Sequence, residues 1–322
     1  MNVPYQTDLV SLVTPGWNGR EFVHRLLASI IAQTYRPIQY IYVDDGSTDG
    51  TAEIVKGYRE KFDRANIDFL YLHQENAGMC EALMTGFQHV KGLYLSNPEY
   101  DDILLPESVE KRVEYLKFHQ DCAVVVADAW VVPENNLDAR EKLISHKNPN
   151  RFDRSHFYQC LMSNTIFNAA CYMVRMDRFD ETHPDRAIIP YKYGSNQQIL
   201  LPLYYHWNRG FIDEPLSLCV SRSSSLSKLN KTLKDEIEHD LNYKHLLFSI
   251  LDSIEMLESD RQMYKDRVEI NVQKDFLNWG KYYHDDNLYN RAYFFLLSKC
   301  ELPKNLSEKK INILSKLLRW KR

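Results

Sequence analysis

Apolar positions in the first half of the chain alternate between two periods. Residues 9–13 form a short apolar run that ends at Pro15. Residues 21–33 then set Phe22, Val23, Leu26, Leu27, Ile30 and Ile31 at helical spacing. The pattern recurs. Residues 38–43 read as a strand, and 51–62 as a helix with Ile54, Val55, Tyr58 and Phe62 on one stripe. Residues 67–72 and 79–90 give a third strand and helix, and 92–96 a fourth strand. Such alternation predicts parallel strands joined by right-handed crossovers: an α/β open sheet flanked by helices, whose ligands bind beyond the carboxyl ends of the strands. The polar residues that follow each strand are therefore the ones to weigh.

Residues 106–120 read as a helix entered through Pro106, and 122–127 as another buried strand. From Ser221 the texture changes to Ser-Arg-Ser-Ser-Ser-Leu-Ser, followed by helical periodicity with Leu241, Leu246, Leu247, Ile250, Leu251 and Ile254 on one stripe. This predicts an α/β domain over 1–227 and an all-helical C-terminal domain over 228–322. The length, 322 residues, agrees with two domains at roughly 150 residues each.

Charge narrows the partners. Forty basic against 44 acidic residues give −4, so there is no overall basic field to hold nucleic-acid phosphates, and no nucleic-acid partner is expected. The six cysteines form no CxxC pair and fall in apolar or helical stretches, which reads as buried free thiols in a reducing compartment. No basic start followed by an apolar run opens the chain, and the longest apolar stretch is broken by Asp128, so a cytoplasmic location is expected.

Four polar clusters fall at the predicted strand ends. Thr14-Pro15-Gly16-Trp17-Asn18 is the first. Asp44-Asp45-Gly46-Ser47 follows, with adjacent carboxylates that accept but do not donate hydrogen bonds, which suits a uracil ring N3–H or a guanine edge. The alternative is that Asp45 or Ser47 caps the helix beginning near Asp49. Glu75-Asn76-Ala77-Gly78 lets backbone approach a ligand, or simply makes a turn. Glu99-Tyr100-Asp101-Asp102 gathers three carboxylates, a candidate Mg²⁺ or Mn²⁺ diphosphate site or else an acidic loop before a helix.

The order of these motifs resembles the nucleotide-sugar-binding half of the family 2 glycosyltransferases, which have the GT-A fold, Rossmann-like with a mostly parallel sheet. The likeness rests on Val13 to Asn18, Ile30-Ile31-Ala32-Gln33-Thr34-Tyr35, Val43 to Thr51, Asn76-Ala77-Gly78 and Glu99 to Pro106, returning at residues 211–216 and 223–228. The resemblance implies that Pro15, Asn18, Asn76 and Gly78 border a nucleotide and that Asp44 or Asp45 holds its base. It implies that Glu99 and Asp101 form the metal motif, Asp101 being the direct ligand. Arg222 would lie over the diphosphate, unless it is a surface residue of a Ser-rich loop. The implied activity is metal-assisted transfer, with inversion, of a sugar from a nucleotide-sugar donor, a UDP-sugar, to a saccharide or lipid-linked saccharide in polysaccharide biosynthesis.

Three departures from the family pattern stand out. The metal motif opens with Glu99 rather than Asp, and Asn97-Pro98 replaces an apolar pair, which should end the strand early. Where the family carries an acidic pair before its last large helix, this chain has Gly194-Ser195-Asn196-Gln197-Gln198, and amides cannot take a proton. Asn196, Gln197 and Gln198 then read as acceptor contacts or as helix N-terminal residues. The base falls to Asp128, Asp185 or His206, among which sequence does not choose. The missing pair also keeps open a non-catalytic sugar-nucleotide or glycan-binding protein of the same fold. A nucleotidyltransferase is the weaker rival, because it would open with a Gly-rich loop and a basic residue. Residues 308–322 hold six basic residues against one acidic, with Ile311, Leu314 and Leu318 near one face. They suit a peripheral contact with an anionic membrane face, or a helix packed on the domain before it.

Overall fold

The computed structural model describes residues 5–140, 142–166, 168–222 and 231–301. These fall into two compact units, one within Met1–Leu229 and one within Asn230–Arg322. In the first unit the chain runs β1 (Gln6–Gly16), α1 (Val23–Ile31), β2 (Ile38–Asp45), α2 (Thr51–Gly57), α3 (Arg59–Arg64), β3 (Ile67–Gln74), α4 (Met79–Phe87) and β4 (Gly92–Ser96). It continues through β5 (Ile103–Leu104), α5 (Ser108–Phe118), β6 (Cys122–Pro133), β7 (Lys142–Leu143), α6 (Phe157–Leu161) and β8 (Tyr172–Arg175). Then come α7 (Met176–Thr182), α8 (Ser195–His206) and β9 (Asn208–Ser221).

The nine strands make one sheet in the order β3-β2-β1-β4-β8-β6-β9-β5, with β7 added to β6. The strand–helix alternation delivers what it predicts for the first four strands, which all pair parallel. Beyond them the sheet is mixed. β8 lies antiparallel between β4 and β6, so β6 runs in the same direction as β4, and β9 follows β6 in parallel. The carboxyl ends of β1, β2, β3, β4, β6 and β9, together with the start of β8, therefore share one rim.

Burial follows the sequence stripes. Val23, Leu26, Leu27 and Ile30 of α1 are buried against β1 and β2. The single helix expected over 51–62 is two helices that meet at Tyr58. β4 stops at Ser96, ahead of Asn97-Pro98. β2 is buried throughout, and its Gln39 amide is satisfied: Gln39 Oε1 accepts from Ser11 Oγ at 2.7 Å, and its Nε2 donates to His89 O at 3.1 Å. Of the cysteines, 80, 122, 160 and 171 are buried, but Cys219 is only partly covered and Cys300 is exposed, unlike the sequence reading.

The second unit holds α9 (Leu233–Ser253), α10 (Glu258–Tyr282) and α11 (Asp286–Ser298). Thr232 and Asp235 cap α9 reciprocally, and Asp285 caps α11. The α10–α11 pair encloses Phe276, Leu277, Ala292, Tyr293 and Leu296. Residues 308–322, read as a membrane contact, lie outside the described residues. Among the described residues no helix is long and apolar enough to cross a membrane.

Helix α4 meets the sheet through Gly86, where an added Cβ would lie 2.4 Å from Val13 Cγ1 and 3.2 Å from Val43 Cγ2. Gly86→Leu should therefore lower stability by about 1–3 kcal/mol, the usual overpacking penalty. Gly57, with open space around it at the end of α2, should gain up to about 1 kcal/mol as Ala. Urea denaturation of the two variants checks both signs.

Candidate active site

Four loops leave the shared rim of the sheet, and side chains tie each one to its neighbour. Thr14 Oγ1, at the end of β1, donates to Pro98 O at 2.9 Å, joining β1 to the acidic loop after β4. Asn18 takes a left-handed backbone (φ 50°) that turns its side chain across to the loop after β2. Its Oδ1 accepts from Thr48 N at 2.8 Å and its own N–H donates to Ser47 Oγ at 3.0 Å. Gly16 has no Cβ because Tyr42 needs the space: a Cβ there would lie 1.9 Å from the Tyr42 hydroxyl. Pro15 sits between them, level with Val43 across the β1–β2 ladder.

The adjacent carboxylates at the end of β2 are buried and divide their work. Asp44 Oδ1 accepts from Ser47 N at 2.9 Å and closes the turn, while Oδ2 accepts from the Tyr71 hydroxyl at 2.6 Å with His73 Nδ1 at 3.6 Å. Asp45 reaches the next loop. Its Oδ1 accepts from Gln74 Nε2 at 2.8 Å and Ala77 N at 2.9 Å, and its Oδ2 from Gly78 N at 2.8 Å. Asn76 Nδ2 returns a bond to Asp45 O at 3.0 Å. Gly78 has φ 96° with open space at its Cβ position, so backbone is bare there. Neither Asp45 nor Ser47 caps α2; the carboxylate that accepts from Thr51 N is Asp49. A ring N–H would have to use the acceptor capacity that Asp44 and Asp45 have left.

The acidic loop lies between these turns and the end of β9. Its Tyr100 ring packs on Gly19, where a Cβ would lie 2.6 Å away. Asp101 Oδ2 pairs with Arg222 Nη2 at 2.5 Å, and the guanidinium lies 4.7 Å from the Phe22 ring centre and 5.9 Å from that of Tyr100. Asp102 is buried and turns inward: Oδ2 accepts from Glu99 N at 3.0 Å, and Asn168 Nδ2 lies 3.5 Å from Oδ1. Burial, then the charge of Asp101, pushes Glu99 up to about 7, with Arg222 pulling the other way. Burial raises Asp101 as well, with Arg222 opposing and Glu134 adding to the rise. Asp102 is driven well above the usual range by burial and by both neighbours.

Carboxylates this close, held partly protonated for want of positive charge, fit a divalent cation. Among the described residues no three acidic, His or Cys side chains are arranged to enclose a metal by themselves. The fit is to the Mg²⁺ and Mn²⁺ mode in which one or two carboxylates are completed by phosphate and water. Glu99 and Asp101 are the residues that would hold it.

The start of α8 comes to the same rim through Tyr172, whose hydroxyl contacts the Asn97 side chain and donates to Asn196 Oδ1 at 2.7 Å. Ser195 Oγ donates to Met79 Sδ at 3.5 Å. Gln197 is largely buried in the same turn. Gln198 is not available as an acceptor contact. Its Oε1 accepts from Ile189 N at 2.5 Å and its Nε2 donates to Ile189 O at 3.1 Å, so the amide clamps the 183–190 segment.

Of the three candidate bases, Asp128 is enclosed and Asp185 and His206 lie away from this rim. Asp128 is buried in β6, where it accepts from Ser145 N at 3.1 Å, from Ser145 Oγ and from Ala129 N at 2.9 Å. Asp185 follows the antiparallel β8 to the opposite end of the sheet, where Gln88 Nε2 donates to its carbonyl and Arg186 donates to Phe87 O and Val90 O. His206 ends α8 beside the start of β9, about 17 Å along the helix from Ser195. A carboxylate that the sequence reading passed over, Glu134, is at the rim. It follows β6, its N–H donates to Ser221 O at 3.3 Å, and its charge acts on Asp101. Its only sequence signal is its place after a strand longer than the apolar run 122–127.

Two outcomes test these electrostatics. Asp45→Asn turns an amide N–H₂ toward backbone donors and should cost about 1–3 kcal/mol in urea denaturation. Glu99 binds its proton more tightly folded (about 7) than its ordinary 4.5, so its contribution makes stability fall as pH rises through that window. Glu99→Gln should flatten the slope, as measured by melting temperature against pH.

Comparison with known proteins places these motifs. The family model "Glycosyl transferase family 2" matches residues 11–182. Glycosyltransferase GlyA of Streptococcus pneumoniae is 38% identical over 112 residues, 34% of this chain and 16% of that protein. The putative teichuronic acid biosynthesis glycosyltransferase TuaG of Bacillus subtilis is 30% identical over 170 residues, 53% and 62% of the two chains. The chain thus spans less than two thirds of the length of these relatives. Staphylococcus aureus TarS 1–349 in complex with UDP-GlcNAc superposes with a TM-score of 0.64 at 15% identity, covering 88% of this chain and 79% of that one. The mannosyltransferase PcManGT from Pyrobaculum calidifontis, in complex with GDP-Man and Mn²⁺, gives 0.58 at 13% identity, covering 98% and 84%. These likenesses establish the GT-A fold. With its model spanning more than half of the residues and its motifs meeting at one rim, the chain belongs to glycosyl transferase family 2.

Proposed function

We propose that this protein transfers a sugar from a nucleotide-sugar donor, a UDP-sugar, to a saccharide or lipid-linked saccharide acceptor in surface polysaccharide biosynthesis. The observation that carries the reading is the meeting of the Asp44-Asp45 turn, the bare backbone at Gly78, the Glu99 to Asp102 loop and Arg222 around the end of β1. β2 and β4 flank β1, so the strands that lead into the base-side and phosphate-side loops run about 10 Å apart. The names of TuaG, of TarS with UDP-GlcNAc and of PcManGT with GDP-Man and Mn²⁺ support the donor class and the pathway.

In this reading Asp44 and Asp45 set the base, Pro15, Asn18, Asn76 and Gly78 border the nucleotide, and Glu99 and Asp101 face the diphosphate. A bound Mg²⁺ or Mn²⁺ supplies positive charge to the leaving diphosphate. Arg222 adds a second cation, released from Asp101 toward the phosphates. Asn196 and Gln197 orient acceptor hydroxyls. Glu134 is the carboxylate placed to take the acceptor proton as the anomeric carbon is attacked with inversion.

Calorimetric titration with UDP and Mn²⁺ tests the donor site. Wild type should bind, Asp101→Ala should weaken binding at least about tenfold, and Asp185→Ala should leave it unchanged. Absence of binding by wild type overturns the reading. Glu134→Gln should leave nucleotide affinity intact and lower the transfer rate by roughly 10²–10⁴. Unaltered transfer removes Glu134 as the base; failure of wild type to transfer to any acceptor while still binding UDP favours a binding protein.

A further inference from the structure

The excursion between β6 and β8 encloses a cleft of about 510 Å³ that the donor site does not use. We propose that it is a subsite for a neutral saccharide, holding a sugar ring of the acceptor. The word acceptor rests on the glycosyl-transfer reading; the saccharide specificity rests on the cleft itself. Its size is within the range of small-molecule sites, about 300–1,000 Å³. The walls carry Asn148 and Asn150 on one side and Ser163, Asn164 and Thr165 on the other, with Ile144 and Ile166 among them. None of these described residues is charged. Such a lining brings no full positive charge to a phosphate, whereas amides and hydroxyls donate and accept together, matching sugar hydroxyls that do the same. The isoleucines suit the C–H face of a ring.

The walls are built rather than casual. Asn148 Nδ2 is buried with no hydrogen-bond partner among the described residues, a donor whose desolvation a ligand oxygen would repay. Asn148 Oδ1 accepts from Asn150 N at 3.1 Å, which fixes the amide plane. Opposite, Ser163 adopts φ 56°, a conformation unfavourable to a non-glycine residue, and turns the chain so that Asn164 N donates to Gln159 O at 2.8 Å. Thr165 Oγ1 is held 2.6 Å from His156 Nε2, and that ring stands edge-on to Tyr204 of α8.

Both walls are anchored to the catalytic framework. The first is fixed through Ser145, which donates twice to Asp128 of β6; this gives the buried Asp128 a positioning role. The second includes Ile166, and the nearby Asn168 faces Asp102 in the acidic loop. Both walls of the cleft thus border groups bonded to the rest of the unit.

The test is saturation-transfer NMR on the full chain with the methyl glycosides of glucose, galactose, mannose and N-acetylglucosamine, run with and without UDP and Mn²⁺. At least one glycoside should receive saturation at its ring protons, and UDP should not displace it. Asn148→Leu should weaken that binding roughly fivefold to tenfold, the worth of one hydrogen bond, and leave UDP affinity unchanged. Asn164→Leu, at an exposed position, carries the same expectation if Asn148→Leu does not fold. No saturation from any of the four sugars, equal saturation in wild type and both variants, or displacement by UDP overturns the proposal. Binding of UDP without any glycoside overturns this inference and leaves the donor reading; binding of a glycoside without UDP does the reverse.

Discussion

The rim depends on a buried carboxylate that has nowhere to put its charge except on the backbone of the neighbouring loop. Asp45 is almost without solvent contact, and an ionised carboxylate in such a place is tolerable only if hydrogen bonds replace its lost hydration. Ala77 N, Gly78 N and Gln74 Nε2 supply them. The bonds are charge-assisted, so they are stronger than a loop of this length makes on its own account. They bring the residues after β3 up to the end of β2. Asn18 extends the same logic to the residues after β1, and Thr14 to those after β4. Four loops that would otherwise move independently become one surface.

The acidic loop shows the complementary problem, carboxylates with too little positive charge. Asp102 can turn inward because the buried Arg112 guanidinium lies near it, held by Ser108 Oγ at 2.5 Å and Ala170 O at 2.6 Å. Asp101 has Arg222. Glu99 has neither directly, and keeps a proton to higher pH than a solvated carboxylate does. The loop thus leaves an unmet demand for a cation, which the proposed binding of a metal with a diphosphate would answer.

Much of this was readable in the residues. The parallel half follows from periods of two and 3.6 that match secondary structure without conflict, and its turn motifs fall where the chain must reverse. The later sheet was obscured for two reasons. β9 contains Asp213-Glu214-Pro215, which breaks its apolar run, and the ladder with β6 shifts register there, so a 14-residue strand carried only part of the signal. β8 is four residues long and antiparallel, and direction is invisible in a short apolar run. That one reversal explains the place of Asp185. A loop after a parallel strand would have reached the rim; the loop after β8, with Asp185, emerges at the other end. Gln198 and Asp128 failed for a different reason: a polar residue that clamps backbone and one that touches substrate look alike until their partners are seen.

The excursion between β6 and β8 is moored at several separate places, by β7 on β6, Ser145 to Asp128, Arg154 to Asp121, His156 and Phe157 against Tyr204 and Tyr205 of α8, and Asn168 to Asp102, while the loops after β1, β2, β3 and β4 are cross-tied to one another. Evolution can therefore treat the two halves differently. Drift in the cross-tied half is constrained by every neighbour at once, but the excursion can lengthen or shorten between its moorings so long as these persist. One inherited parallel half can in this way be kept while the excursion beside it varies.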